Sequence, residues 1–487
     1  MNADTRTGQQ DHVVVIGGGI AGLSAAHRLL SAGVRVTLLE ASGRLGGKLK
    51  AGEIAGAPVD LGAESILARR PEGVELARAV GLADRLQPPA TTTASVWTRD
   101  ALRPMPKGHV MGVPGNPEAL AGLLSAEGLA RIGHERDLPP AEIGDDVAVG
   151  TYVARRLGRE VVDRLVEPLL GGVYAGDAYR ISMRAAVPAL FDAARTHHSL
   201  LEAVREVQRR AAEQQRTGPV FMGIDGGIGT LPLAVAEAVR AQGGEILTNA
   251  PVNELRRTAR GSATDATAWR IVLADGRSLL ADAVVLATPA WASSELLAAE
   301  SPAASAELGG VEYASMALVT LAFRRADLAG RLPEGSGFLV PPVDGRTIKA
   351  STFSAQKWSW VSDAAPDLVL LRTSVGRYGE EEHLHREDSE LVDVSLSDLG
   401  EATGLTARPV ASEVTRWIGG LPQYPVGHLA RVARVRDAVA KLPGLRVCGA
   451  AYDGVGIPAC VGSGQRAADE IIATAPLVRG TVRDGRE

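Results

Sequence analysis

Residues Gly17-Gly18-Gly19-Ile20-Ala21-Gly22 follow the apolar run His12-Val13-Val14-Val15-Ile16 and open a stretch with Leu23, Ala26 and Leu30 at helical spacing. The run has the length and β-branched content of a strand buried on both faces. Gly33 is placed to stop the helix, and residues 34–39 read as a second buried strand ending in Glu40. Strand, glycine turn, helix and strand make a βαβ unit, which commits this part of the chain to a parallel sheet. Gly17 permits the tight turn, Gly19 lets the backbone approach a phosphate, and Gly22 lets helix and strand pack closely. The helix N-terminus adds free N–H groups and partial positive charge, so the turn from Gly17 to Gly22, with Gly18, Ile20 and Ala21, is expected to hold a pyrophosphate. A carboxylate at Glu40 can accept from both ribose hydroxyls and would repel a 2′-phosphate, which disfavours NADP. These residues leave FAD and NAD open.

The chain of 487 residues has room for about two to four domain-sized units. After residue 97 long helical stretches dominate, at 146–156, 159–170 and 199–214. The α/β pattern returns near Pro219, where Thr230 is the expected N-cap of a helix reaching residue 240 and stopped by Gly243-Gly244. Residues 245–249 and 251–257 read as strands, Asp275-Gly276 as a hairpin turn, and 281–288 as another buried strand. Residues 297–435 mix strands and helices, including an apolar strand at 314–323. A short strand at 445–448, a glycine-rich loop and a helix at 461–474 follow. The expected fold is α/β (α+β overall). A discontinuous Rossmann-like dinucleotide domain comes from 11–96, 216–296 and 436–476, with a helical insertion at 97–215 and a mixed-sheet substrate domain at 297–435.

Charge and composition exclude several function classes. A net charge of −5 argues against a nucleic-acid footprint, which needs a concentrated basic face. Cys448 and Cys460 are too few for a disulfide framework or a cysteine-rich metal site, and the nine histidines show no ligand spacing, so no metal is expected. Two reduced thiols fit a cytoplasmic protein. Residues 1–10 are polar and read as a disordered leader, not a signal peptide. No run approaches the about 18 apolar residues of a membrane span, so membrane contact is peripheral at most.

The segment Ala41-Ser42-Gly43-Arg44-Leu45-Gly46-Gly47-Lys48 resembles the R-x-G-G extension of the flavoprotein family that includes amine oxidases, phytoene desaturases and porphyrinogen oxidases. In that family the loop runs along the flavin, so the resemblance selects FAD, bound non-covalently. Four further segments resemble the protoporphyrinogen/coproporphyrinogen oxidases: RPMPKGHVMGVP at 103–114, EPLLGGVYAGD at 167–177, LPQYPVGH at 421–428 and YDGVGIPACV at 452–461. The likeness covers residues 12–473. The first of these segments is similar to the soluble bacterial enzymes acting on coproporphyrinogen III; the eukaryotic type carries an arginine close after its glycine, where this chain has Val110. Coproporphyrinogen III is therefore the expected substrate and protoporphyrinogen IX the alternative.

The resemblance carries roles onto matching positions. Ala41, Arg44, Gly47 and Lys48 join the flavin contacts. Gly62-Ala63-Glu64-Ser65 stands where the family has a G-P-x-S loop beside the flavin, with Ala63 in place of proline, which loosens the loop. Val252 matches a residue on the adenine side and Trp417 a family flavin contact. Ile457, Pro458 and Ala459 match the loop entering the last helix, whose N-terminus would stabilise charge on reduced flavin. Gly172 and Tyr174 match a segment lining the substrate cavity, and Arg69, Arg70 and Lys107 are basic candidates for substrate propionates; domain packing and solvated surface charge are the competing roles. For Glu167 and Asp177 a structural role is expected.

The implied reaction removes six hydrogens from a porphyrinogen in three flavin cycles, by hydride transfer from a bridging carbon to flavin N5. Oxygen reoxidises the flavin and three hydrogen peroxide are released. No acid/base pair, triad or nucleophile stands out, which fits chemistry driven by the cofactor. A haem-pathway enzyme such as a ferrochelatase is the expected transient partner. A flavin amine oxidase and a non-enzymatic FAD-fold carrier are the remaining alternatives.

Overall fold

A computed structural model describes residues 11–139, 142–213, 218–259, 267–328 and 332–474; the expected leader at 1–10 lies outside the described residues. The first strand, His12–Ile16, sits at the centre of a five-stranded parallel sheet in the order Glu245–Leu247, Arg35–Leu39, His12–Ile16, Ala283–Leu286, Leu445–Val447. The sheet thus gathers strands from three separate stretches of chain. Its apolar run has no polar face because both faces are covered. Val13 and Val15 pack under the helices Ile20–Ser31, Thr230–Ala241 and Ile457–Thr474. Val14 and Ile16 pack against Leu255, Trp269 and Ile271 of an antiparallel sheet formed by Val252–Ala259, Thr267–Leu273 and Ser278–Ala281. Asp275-Gly276 lies in the turn joining the last two of these strands.

A second, seven-stranded mixed sheet has the order Ala411–Pro422, Tyr313–Arg324, Leu368–Val375, Ile348–Thr352, Gly337–Leu339, Ser95–Thr98, Ala101–Pro104. Its last two strands come from residues before 105, so the expected boundary at 96/97 runs through a strand of this sheet. On the outer face Val319, Leu321 and Leu371 pack against Leu391 and Leu399 of the helix Asp388–Thr403. On the other face Ala322 and Leu370 pack with Ile54, Ala57 and Val59 of the hairpin formed by Ala51–Ile54 and Ala57–Asp60. The helical region has its own core, in which Val153, Leu165, Leu190 and Val204 are fully buried.

The structure moves three expected features. Residues 159–170 form no single α-helix: Arg159–Val161 leads into a π turn, Val162–Val166, and then the helix Glu167–Tyr174. Thr230 is not an N-cap. Gly229 holds that position, and the Thr230 hydroxyl donates to the Gly227 carbonyl at 2.7 Å. Asp60 instead fixes the turn that enters the helix: its carboxylate accepts from Ile228 N and Gly229 N, each at 2.8 Å. The last helix begins at Ile457, so Ile457, Pro458 and Ala459 form its first turn instead of an entering loop. Proline is tolerated there because its missing N–H would have no partner in the helix.

Candidate active site

The glycine turn shows three different constraints. Gly17 has φ +114°, and a Cβ on it would lie 2.6 Å from the Ala287 carbonyl oxygen. A Cβ on Gly22 would lie 1.9 Å from the Gly17 carbonyl oxygen, whereas one on Gly19 would meet nothing within 4 Å. That open space belongs to a cavity of about 630 Å³ whose wall includes Gly17, Gly19, Glu40, Lys48, Val252 and Ile457. The helix Ile20–Ser31 enters with no side-chain cap at Gly19 and no acidic residue in its first turn. Its unsatisfied N–H groups and dipole are left to an anion.

Glu40 sits beside the turn. One carboxylate oxygen accepts from Gly18 N at 2.8 Å, and the other from Ser42 N at 2.8 Å and Ser42 Oγ at 2.7 Å. The backbone of the following loop is tied to the turn through Gly46 N, which donates to the Gly18 carbonyl at 2.8 Å. Ala41 and Gly47 line the cavity. Arg44 does not: it donates to the carbonyls of Leu45, Gly47 and Leu49 and stacks over Trp417, holding its own loop in shape. Lys48 reaches the cavity, where withdrawal from bulk water pushes its ammonium below the usual lysine value, with Cys460 opposing and Arg44 adding to the effect.

Of the loop Gly62-Ala63-Glu64-Ser65, Ala63 forms part of the cavity wall. Gly62 is packed so tightly that a Cβ would stand 2.1 Å from the Lys48 carbonyl oxygen. Glu64 points away from the cavity to two cations of the seven-stranded sheet region, Lys357 Nζ at 2.6 Å and Arg372 Nη1 at 2.9 Å. Burial pushes the Glu64 carboxyl up, but Lys357 and Arg372 outweigh burial and leave it below the usual value. Ser65 accepts from Lys357, and the Trp417 indole donates to the Leu61 carbonyl at 3.1 Å. Trp417 thus braces this loop and is absent from the cavity wall. Lys357 and Arg372 carry no sequence motif of their own.

At the C-terminal end, Ile457 and Cys460 reach the cavity wall, while Pro458 and Ala459 lie buried behind it. Burial pushes the Cys460 thiol up to about 12, against the pull of Lys48. Asp453, within the fourth family-like segment, collects Arg436, Arg466 and Ser463, and Ser463 accepts from Gly449 N at 3.1 Å. This network fixes Gly449, Ala450 and Ala451, all on the wall.

The model of the family described as flavin containing amine oxidoreductase matches residues 20–472. A coproporphyrinogen III oxidase of Mycobacterium bovis is 37% identical over 463 residues, spanning 94% of this chain and 96% of that one. A coproporphyrinogen III oxidase of Bacillus subtilis is 32% identical over 474 residues, spanning 95% and 98%. A crystal structure from Exiguobacterium sp. 255-15, described as a candidate protoporphyrinogen oxidase, superposes with a TM-score of 0.83 at 32% identity over 96% of this chain and 100% of that one. The chain belongs to the flavin-containing amine oxidoreductase family. It is a flavin-dependent oxidoreductase of the porphyrinogen oxidase branch, and the uncapped helix, the space above Gly19 and the cavity volume fit a dinucleotide flavin.

In this oxidoreductase the five substrate candidates lie off the 630 Å³ cavity wall. Gly172 is exposed on the helix Glu167–Tyr174, where a Cβ would face Leu339 at 3.6 Å. Tyr174 is buried, packs edge-on to Tyr424 at 5.6 Å, and Tyr424 stacks on His428 at 4.3 Å. Its burial pushes the phenol up to about 12. Arg69 and Lys107 are exposed, and Arg70 pairs with Glu72 at 2.8 Å. Glu167 accepts from Ala178 N at 2.6 Å and Asp177 from Tyr179 N at 2.8 Å, so both carboxylates hold the turn after the helix. Among the described residues no three His, Cys, Asp or Glu side chains gather as a metal site, and no helix is long and apolar enough to cross a membrane.

Proposed function

We propose that this protein is an oxygen-dependent FAD oxidase that converts coproporphyrinogen III to coproporphyrin III. The observation that carries the reading is the near-complete span of its likeness to coproporphyrinogen III oxidases, which takes in the helical region and both sheets as well as the cofactor cleft. Bound FAD would take two electrons per cycle as hydride at N5, and three cycles with oxygen as acceptor would release three hydrogen peroxide.

The chain's own residues bind and orient. Gly19 and the N-terminus of the helix Ile20–Ser31 receive the pyrophosphate; Gly17, Gly18 and Gly22 shape the turn. Glu40 takes the ribose, with Val252 on the adenine side. Lys48, Gly47, Ala63 and Ile457 surround the ring system, backed by Arg44, Gly62, Glu64, Ser65, Trp417, Pro458 and Ala459. The cofactor would be held without a covalent bond; burial pushes the Cys460 thiol on the cavity wall up to about 12, which leaves it almost no thiolate to attack a flavin. Gly172 and Tyr174 would border the porphyrinogen beyond the cofactor cavity, and Arg69, Arg70 and Lys107, all off that cavity's wall, would meet its propionates. The chain before the strand Ser95–Thr98, with the 216–296 and 436–476 pieces, would hold the cofactor; the helical region and the seven-stranded sheet would enclose the substrate. The protein works in the cytoplasm and passes its product to a haem-pathway enzyme such as a ferrochelatase.

The test is a steady-state comparison. The purified yellow protein should convert coproporphyrinogen III to fluorescent coproporphyrin with peroxide release, and faster than it converts protoporphyrinogen IX. A clear preference for protoporphyrinogen IX selects the second reading, which the likeness to the Exiguobacterium structure supports.

A further inference from the structure

Four charged side chains from distant parts of the chain meet behind the cleft wall at Ala63. Lys357 binds Glu64 at 2.6 Å and Ser65 Oγ at 3.1 Å. Arg372 binds Glu64 at 2.9 Å and the Gly62 carbonyl at 2.8 Å. The two cations therefore grip the residues on both sides of Ala63, the member of that loop on the cavity wall. Asp60 completes the group. Its carboxylate is held by Ile228 N and Gly229 N and faces both Arg372 and Glu64. Side-chain exposure is 13% for Glu64, 8% for Arg372 and 19% for Lys357. Two cations and two carboxylates balance, and because these side chains are largely withdrawn from bulk water their field is weakly screened.

We infer that Lys357, Arg372 and Glu64 are positioning residues that set how readily the bound flavin accepts electrons, by fixing Ala63 against it and holding a balanced charge cluster behind it. The inference rests on the flavin reading of the cleft. Reduction adds negative charge to the cofactor. Removing a cation from the cluster therefore disfavours the reduced form, and removing a carboxylate favours it. A purely structural brace behaves differently. The Lys357–Glu64 link is lost whichever partner is changed, so both substitutions would then act in the same direction.

The experiment measures the midpoint potential of the flavin-loaded protein at pH 8, where Asp60, raised by burial to about 6, is ionised. Lys357→Met should shift the potential to more negative values and Glu64→Gln to more positive ones. Arg372→Gln should follow Lys357→Met and replaces it if that variant does not fold. Flavin affinity, read by fluorescence titration, should fall in all three because each loosens the loop at Ala63. Potentials that move in the same direction, or do not move, overturn the inference and leave the flavin reading intact. A wild-type protein that binds no flavin overturns both.

Discussion

A methyl group on Gly22 would lie 1.9 Å from the carbonyl oxygen of Gly17, while one on Gly19, three residues nearer in sequence, would project into open cavity. The two glycines answer to different demands, one of packing and one of binding. Gly19 has φ −71°, so a side chain there meets no backbone strain. Gly19→Val should lower the melting temperature of the flavin-free protein only by the small loss of a favoured N-cap residue and abolish flavin binding. Gly22→Ala should force helix and strand apart and cost at least the about 1–3 kcal/mol of an overpacked core, seen as a lower melting temperature with or without flavin. Retained yellow colour in Gly19→Val would refute the phosphate position.

Asp60 gives stability a pH signature. Burial raises its carboxyl from the usual 3.8 to about 6, against the pull of the Gly229 and Ile228 N–H groups. Between those values the folded chain holds a proton that the unfolded chain has released. The contribution of this group to stability is therefore present in full below pH 3.8 and is lost as pH rises through about 6. The loss is on the order of 3 kcal/mol. Urea unfolding at pH 4.5, 5.5 and 6.5 should show a steeper fall in stability with rising pH for wild type than for Asp60→Asn. Equal slopes would rule out a raised Asp60.

What could be read from the sequence and what could not divide along physical lines. The strand His12–Ile16, the turn and the helix Ile20–Ser31 were legible because each constraint is local, set by steric demands within a few residues. The same local reasoning failed at Thr230, because the carboxylate that fixes the entry to the helix, Asp60, arrives from 168 residues away. Lys357 and Arg372 were invisible for the same reason: their partner Glu64 lies 293 and 308 residues off. The π turn Val162–Val166 also escaped, since the helical period does not announce one inserted residue. Tertiary contact decided the first two.

The two thiols should be inert in the folded protein. Cys448 is fully buried and Cys460 is 8% exposed; burial raises both, Cys460 to about 12. Thiolate is the reactive form, so a disulfide-exchange reagent at pH 8 should find almost none in the flavin-loaded protein and should titrate two free thiols after unfolding in urea. Rapid modification of the native protein would mean that the cleft wall at Cys460 opens to solvent.

Arg156 and Glu135 form the deepest ion pair among the described residues, with side chains 1% and 0% exposed and 2.5 Å apart at closest approach. Glu135 also accepts from Ser199 Oγ and Leu200 N, and Arg156 donates to the carbonyls of Pro139 and His198. The pair ties three segments of the helical core together, far in sequence from the flavin loops. Removing one member leaves the other charge buried without its counter-ion. Arg156→Met should therefore destabilise the protein by about 3–5 kcal/mol, where an exposed pair would give about 0–1 kcal/mol. Arg156→Met combined with Glu135→Leu should cost less than the sum of the single changes, because the double variant strands no charge. Thermal unfolding of the four proteins measures both terms, and flavin absorbance should be retained in all of them. A loss below about 1 kcal/mol in Arg156→Met would place the pair in water and contradict its burial.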